Sequence, residues 1–226
     1  MYFNVQKFTK DEIDKLKLVK NGETGHFGKV YRLNMDECIK IYNDPIDDFL
    51  MFNLNEKTNA TLETAALPKR LAVIDKKVKG YTMDYIFGPR LLDCEDYDYS
   101  KFIELYGAFV KKASEEISLE GYSIIDASVG NIVLDVFRKE FRLIDTDLWK
   151  REDSCEYDEL LNRNFTELNL ALFNRFLFLL GYDIAGLRPQ DDFVDYYETL
   201  REDIEKKNDI KIKTLGDVRK RWTSLK

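Results

Sequence analysis

Ile124-Ile125-Asp126-Ala127-Ser128-Val129-Gly130-Asn131 leads into Ile132-Val133-Leu134-Asp135-Val136, and a turn near Phe137-Arg138-Lys139 separates that run from Glu140-Phe141-Arg142-Leu143-Ile144-Asp145. Two β-compatible runs around a short turn predict a hairpin with strands over 131–136 and 140–145. With the turn centred on Arg138, an antiparallel register brings Asn131 opposite Asp145. Asp126 lies five residues upstream of Asn131, in the incoming loop. Two carboxylates and an amide then converge at one hairpin end. Oxygen donors of this kind suit Mg²⁺, which takes few protein ligands and keeps waters and phosphates. Taken singly, Asp126 or Asp145 reads as an Asx-type turn residue.

Upstream, the chain is strand-rich around one helix. Glu37-Cys38-Ile39-Lys40-Ile41-Tyr42 alternates, with Ile39 and Ile41 on one face and Cys38, Lys40 and Tyr42 on the other. A helix is expected from Asp44, with Pro45 at its first position and Pro68 as its stop. Helical spacing puts Phe49, Phe52, Glu56, Ala60 and Glu63 on one face. A carboxylate on a buried stripe needs a partner. Lys40 is the candidate partner for Glu56, Glu63 is a rival for it, and a Glu56 that reaches solvent at the edge of the stripe is the alternative. Strand-like runs follow at Arg70–Asp75 and Lys79–Ile86. Beyond Gly88-Pro89 the period becomes helical at Phe102, Leu105, Phe109, Ala113 and Ile117, with Gly121 as a stop. From about Asp158 the chain reads as helical. Strands first and helices later predict an α+β fold of two lobes, over 1–86 and 87–226.

Gly22-Glu23-Thr24-Gly25-His26-Phe27-Gly28-Lys29-Val30 lies within a predicted hairpin at Leu18–Leu33. Three glycines in nine residues suit either a plain turn or a backbone cradle for phosphate. A Rossmann phosphate loop is excluded because a strand follows, and a Walker loop because GK[ST] is missing.

The chain has 226 residues, 35 Lys/Arg against 42 Asp/Glu, a formal charge of −7 and 44% apolar types. That is enough apolar material for a core, and the acidic balance excludes a general nucleic-acid binder. Residues 201–226 are the exception, with nine Lys/Arg against five Asp/Glu. Lys211, Lys213, Arg219, Lys220 and Arg221 make this a basic tail, read as a solvated helix face or as the contact for an acidic partner. Cys38, Cys94 and Cys155 are scattered without a CxxC pair, which points to a reducing compartment. A single histidine, His26, excludes a His-based metal cluster within one chain. The N-terminus lacks a Sec-type apolar region, and Leu170–Leu180 is too short to cross a bilayer. A cytoplasmic location is expected, with export by a route that needs no Sec signal left open.

These pieces, in this order, resemble the eukaryotic-type protein kinase superfamily. The resemblance lies in Gly25-His26-Phe27-Gly28-Lys29-Val30 as the glycine loop and Cys38-Ile39-Lys40 as the lysine strand. Leu54-Asn55-Glu56-Lys57 is similar to the αC segment, and Met83-Asp84-Tyr85-Ile86 to the gatekeeper and hinge. Asp126 and Asn131 have the D-x-x-x-x-N spacing of the catalytic loop, and Asp145-Thr146-Asp147 stands where D-F-G stands. The resemblance implies an N-lobe of antiparallel sheet plus one helix, a shortened and mainly helical C-lobe, and an ATP- and Mg²⁺-dependent kinase. Its acceptor would be a hydroxyl, protein Ser/Thr above all. The loop with Gly22, Gly25, Gly28 and Val30 would cover the ATP phosphates. Lys40 would bind them, held by Glu56, and Asp84 and Ile86 would bond adenine. Asp126 would take the acceptor's proton, while Asn131 and Asp145 would hold Mg²⁺.

Several positions depart from the pattern. Ile124-Ile125 replaces His-Arg, Ser128 replaces the catalytic-loop lysine, and Thr146-Asp147 replaces Phe-Gly. Asp147 is then an extra candidate metal ligand. No A-P-E follows, and little room is left for an activation segment. In this the chain is similar to compact bacterial kinases, including secreted effector kinases. The departures keep two alternatives in view: a pseudokinase or ATP-binding interaction module, and a small-molecule kinase, which Val129-Gly130-Asn131 also resembles.

Overall fold

The computed structural model describes residues 3–19, 27–176 and 187–217. The chain forms an α+β structure of two compact units, Met1–Ile86 with Asp145–Leu148, and Phe87–Ile144 with Trp149–Lys226.

The first unit is built on β1 (Val5–Phe8), β2 (Lys17–Leu18), β3 (Gly28–Arg32), β4 (Glu37–Tyr42), β5 (Arg70–Ile74) and β6 (Lys77–Asp84). They form one sheet in the order β1-β5-β6-β4-β3-β2. All pairings are antiparallel except β1 with β5, which is parallel. The sheet is therefore mixed, and the expected wholly antiparallel sheet is corrected. The chain between β1 and β5 is long enough for the crossover that a parallel pair needs. Alternation along β4 splits the core. Cys38 packs with Leu54, Leu71, Tyr81 and Met83 on one face, whereas Ile39 packs with Ile13, Ala72 and Ile74 on the other. The helix α1 (Lys10–Asp14) carries Ile13 to that second face, opened by a capping box between Thr9 and Glu12.

The helix α2 (Asp48–Lys57) is shorter than expected. Its cap is Asp47, not Asp44, and accepts from the Leu50 N–H at 2.7 Å. It ends well before Pro68, where the N–H groups of Thr58, Asn59 and Ala60 turn back onto carbonyls three residues earlier. The buried face is also different. Phe49 and Phe52 are 72% and 47% exposed, Glu56 is exposed, and Leu54, Asn55 and Lys57 are buried instead. The apolar stripe is weak, so packing of Leu54 against the sheet sets the rotation.

In the second unit α3 (Tyr99–Leu119) presents Phe102, Tyr106, Phe109, Val110, Ala113 and Ile117 to the core. Gly121 follows it with φ of +76°, the left-handed conformation that ends helices. α4 (Tyr157–Phe176) and α5 (Phe193–Asn208) pack on α3. A Cβ on Gly107 of α3 would lie 2.7 Å from the Phe193 ring, so glycine permits this close approach of α5. Three pieces of strand complete the unit together with β9 (Glu140–Leu143): β7 (Tyr122–Ser123), β8 (Ile132–Asp135) and β10 (Lys150–Arg151). β8 and β9 form the expected hairpin, but Ile132 pairs with Leu143. The Ile144 N–H bonds the Asn131 carbonyl, so Asn131 faces Ile144 and the register is one residue from the expected one. The cause is the turn. The Asp135 carboxylate accepts from the N–H of Phe137 and of Arg138, and Lys139 takes the left-handed conformation.

Among the described residues no helix is long and apolar enough to cross a membrane. The stretch Leu170–Leu180 lies in α4 up to Phe176, and the rest of it is outside the described residues. Of the basic tail, Arg219, Lys220 and Arg221 are likewise outside them.

Candidate functional site

Lys40 sits mid-strand in β4, and the alternation that sends Ile39 to one face sends Lys40 to the other, with Cys38 and Tyr42. Its side chain is almost fully buried. The ammonium donates to Asp145 Oδ1 and to Asp147 Oδ2, the second bond at 2.8 Å. The Tyr42 hydroxyl donates to the same Asp147 oxygen. From α2, Lys57 Nζ donates to the Asp147 carbonyl at 2.8 Å, and Asn53 Nδ2 does so at 3.3 Å. Between the two acids, Thr146 Oγ1 anchors the segment on the Ala66 carbonyl at 3.2 Å. Asp145 itself has φ of +61°, a conformation that costs a non-glycine residue about 1 kcal/mol and is concentrated at functional sites.

The electrostatics follow from burial of unlike charges. Burial opposes the charge on Lys40, but Asp147 and Asp145 together hold its pKa above the ordinary lysine value. Burial would raise Asp147 as well, yet the Lys40 ammonium and the Lys40 and Tyr42 hydrogen bonds bring it below the carboxylate range. Asp145 is raised, chiefly by burial and further by the charge of Asp147, against the pull of Lys40. Lys57 is wholly buried, and burial lowers it to about 7 despite Asp147 and Glu56. Two carboxylates thus share one firmly charged ammonium, Lys40, with the weakened Lys57 beside them.

The expected holder of Lys40 is not the one seen. Glu56 is exposed on α2, and the acids bonded to Lys40 are Asp145 and Asp147. Tyr42, Asn53 and Lys57 were not expected in the cluster. Tyr42 was legible, since it lies two residues from Lys40 on one strand face. Asn53 and Lys57 were not, because their placement depends on the rotation of α2.

In the second unit Asp126 also has a left-handed backbone, with φ of +62°. Asn131 Nδ2 donates to its carbonyl at 3.0 Å and to its Oδ2 at 3.3 Å, and the Asn131 N–H bonds the Ser128 carbonyl at 2.8 Å. The loop is held from α4 by Asn164, which was also unforeseen. Its Oδ1 accepts from the Ile124 N–H at 2.8 Å, and its Nδ2 donates to Ser118 Oγ and to the Tyr122 carbonyl. Asp126, Ser128 and Val129 line a cavity of about 380 Å³ with Glu167, Leu170 and Ala171 of α4. Burial and the nearby charge of Asp126 push the Glu167 carboxyl up.

The remaining expected residues are spread along the first unit. Gly22 and Gly25 lie outside the described residues. Gly28 starts β3 opposite Tyr42, where a Cβ would be 2.4 Å from the Ile41 carbonyl oxygen. A close strand pairing therefore requires this glycine whatever else it serves. Val30 is the cross-strand partner of Lys40 and packs against the same core face. Asp84 ends β6 opposite Glu37 and forms an ion pair with Lys69 at 2.6 Å, and Ile86 is buried at the end of the unit. Among the described residues no three His, Cys, Asp or Glu side chains gather as a metal site. Asp145 is placed in the first unit and Asn131 in the second. No protein-family model matches the chain, and no curated protein matches it.

Proposed function

We propose that the chain is a kinase that uses ATP and Mg²⁺ to phosphorylate a hydroxyl, with protein Ser/Thr side chains as the acceptor. The observation that carries this reading is a mid-strand lysine, Lys40, buried and bonded to an acid, Asp145, that directly follows a hairpin. Burying a lysine costs several kcal/mol unless its charge is paired, and buried charges paired in this way are concentrated at functional sites. Lys40 would neutralise ATP phosphates, and Asp145 and Asn131 would hold Mg²⁺, which shields the charge on the phosphates. Asp126 would orient the hydroxyl and accept its proton, with the cavity beside it as room for the acceptor. The left-handed backbone at Asp126 and at Asp145 supports functional roles for both.

A second reading, an ATP-binding module without transfer, is favoured by Ser128, which leaves the loop without the cation that assists phosphoryl transfer. Incubation with labelled ATP, Mg²⁺ and a panel of Ser/Thr proteins separates the two. The kinase reading expects transfer that Asp126→Ala abolishes while the Mg-ATP-induced rise in melting temperature persists. Binding without transfer to any protein leaves the module or a small-molecule kinase. No binding at all removes both.

A further inference from the structure

The Lys40 cluster contains a residue whose role the kinase resemblance does not supply. We infer that Asp147 is the positioning residue for Lys40, taking the part expected of Glu56, and that α2 reaches the site through the backbone of Asp147. The inference rests on the kinase reading only for what Lys40 binds.

Asp147 is 3% exposed and is bonded at both its side chain and its carbonyl. Its Oδ2 receives Lys40 and Tyr42, two donors from one strand face. Its carbonyl receives Lys57 and Asn53, two donors four residues apart on α2 and therefore on one helix face. A lysine stem is flexible, and an ammonium that must meet a phosphate needs an acid to fix its direction. Glu56 is exposed in this rotation of α2, whose buried residues are Leu54, Asn55 and Lys57. With Lys57 donating to a carbonyl, the helix touches the acid segment without adding a third carboxylate to Asp145 and Asp147. The link therefore suits a site already rich in negative charge.

The test is titration of Mg-ATP and of adenosine into the wild type, Asp147→Asn, Tyr42→Phe and Glu56→Gln, with ligand-free melting of each. Asp147→Asn should lose at least tenfold more Mg-ATP affinity than Glu56→Gln, and Tyr42→Phe should fall between them. Adenosine, which lacks phosphates, should bind the wild type and Asp147→Asn within about twofold, since it makes no use of Lys40. Equal loss for adenosine and Mg-ATP would mean that Asp147 only supports the fold, and the inference would be wrong. A larger loss in Glu56→Gln than in Asp147→Asn or Tyr42→Phe would restore Glu56 and overturn the inference while leaving the kinase reading intact. The exposed Glu56 and the Tyr42 hydroxyl keep this comparison decisive if Asp147→Asn fails to fold. A wild type that binds neither ligand overturns the kinase reading itself, and the inference with it.

Discussion

Replacing Lys57 by methionine should stabilise the protein at neutral pH, and the gain should vanish as the pH rises. Lys57 is wholly buried, and burial lowers its pKa from the ordinary 10.5 to about 7, although Asp147 and Glu56 work against the fall. The unfolded chain holds this proton up to the ordinary value, whereas the folded chain releases it near pH 7. Between those limits the unfolded state binds more protons, so wild-type stability rises with pH across the window. Each tenfold change in proton affinity is about 1.4 kcal/mol, so the penalty is about 4 kcal/mol at pH 7 and about 1 kcal/mol at pH 9.5. Methionine has a similar stem and no charge, but it forfeits the hydrogen bond to the Asp147 carbonyl, worth about 1 kcal/mol. The variant should therefore be about 3 kcal/mol more stable than wild type at pH 7 and about equal to it at pH 9.5. Urea unfolding of both proteins at the two pH values, with unchanged m-values, measures the difference. A variant that is less stable by the same amount at both pH values would refute the reasoning, because Lys57 would then keep its proton in the folded state and gain from it.

Asn164→Ala should cost about 3 kcal/mol, since it strands the Ile124 N–H and removes two further hydrogen bonds in a buried site; urea unfolding checks it. Gly28→Ala should cost about 2 kcal/mol and lower the melting temperature, because its Cβ would meet the Ile41 carbonyl oxygen across the β3–β4 pair, where neither backbone can yield. Lys40→Met should abolish the rise in melting temperature on adding Mg-ATP, whereas the same rise in Asp126→Ala should match wild type.

Local pattern made much of the chain legible. The period of two along Glu37–Tyr42 placed Ile39 and Lys40 on opposite faces, and the two faces of the sheet contain the clusters that this alternation requires. The runs on either side of Phe137-Arg138-Lys139 form their hairpin, and the helical spacing from Phe102 to Ile117 forms α3. Thr9 and Glu12 spell a capping box, a local signal for α1 that the sequence carries. The structure differs from the expectation where local signals are weak. The hairpin register moved by one residue because Asp135 bonds the turn backbone, a choice between competing local hydrogen bonds. The rotation of α2 differs from the expected one because Phe49 and Phe52, apolar and spaced for a core face, lie exposed, whereas Lys57 is buried.

Sequence alone determined the α+β class, the strand that presents Lys40, and the hairpin that separates Asn131 from Asp145. These depend on side-chain periods and turn chemistry, which act over a few residues. Only the tertiary structure decided which acid holds Lys40. Asp147 lies 107 residues from Lys40 and 90 from Lys57 along the chain. No local rule couples such positions. They meet because burying Leu54 against the sheet turns Lys57 inward onto the Asp147 carbonyl, and the buried Lys40 ammonium and Asp147 carboxylate are each too costly to leave unpaired.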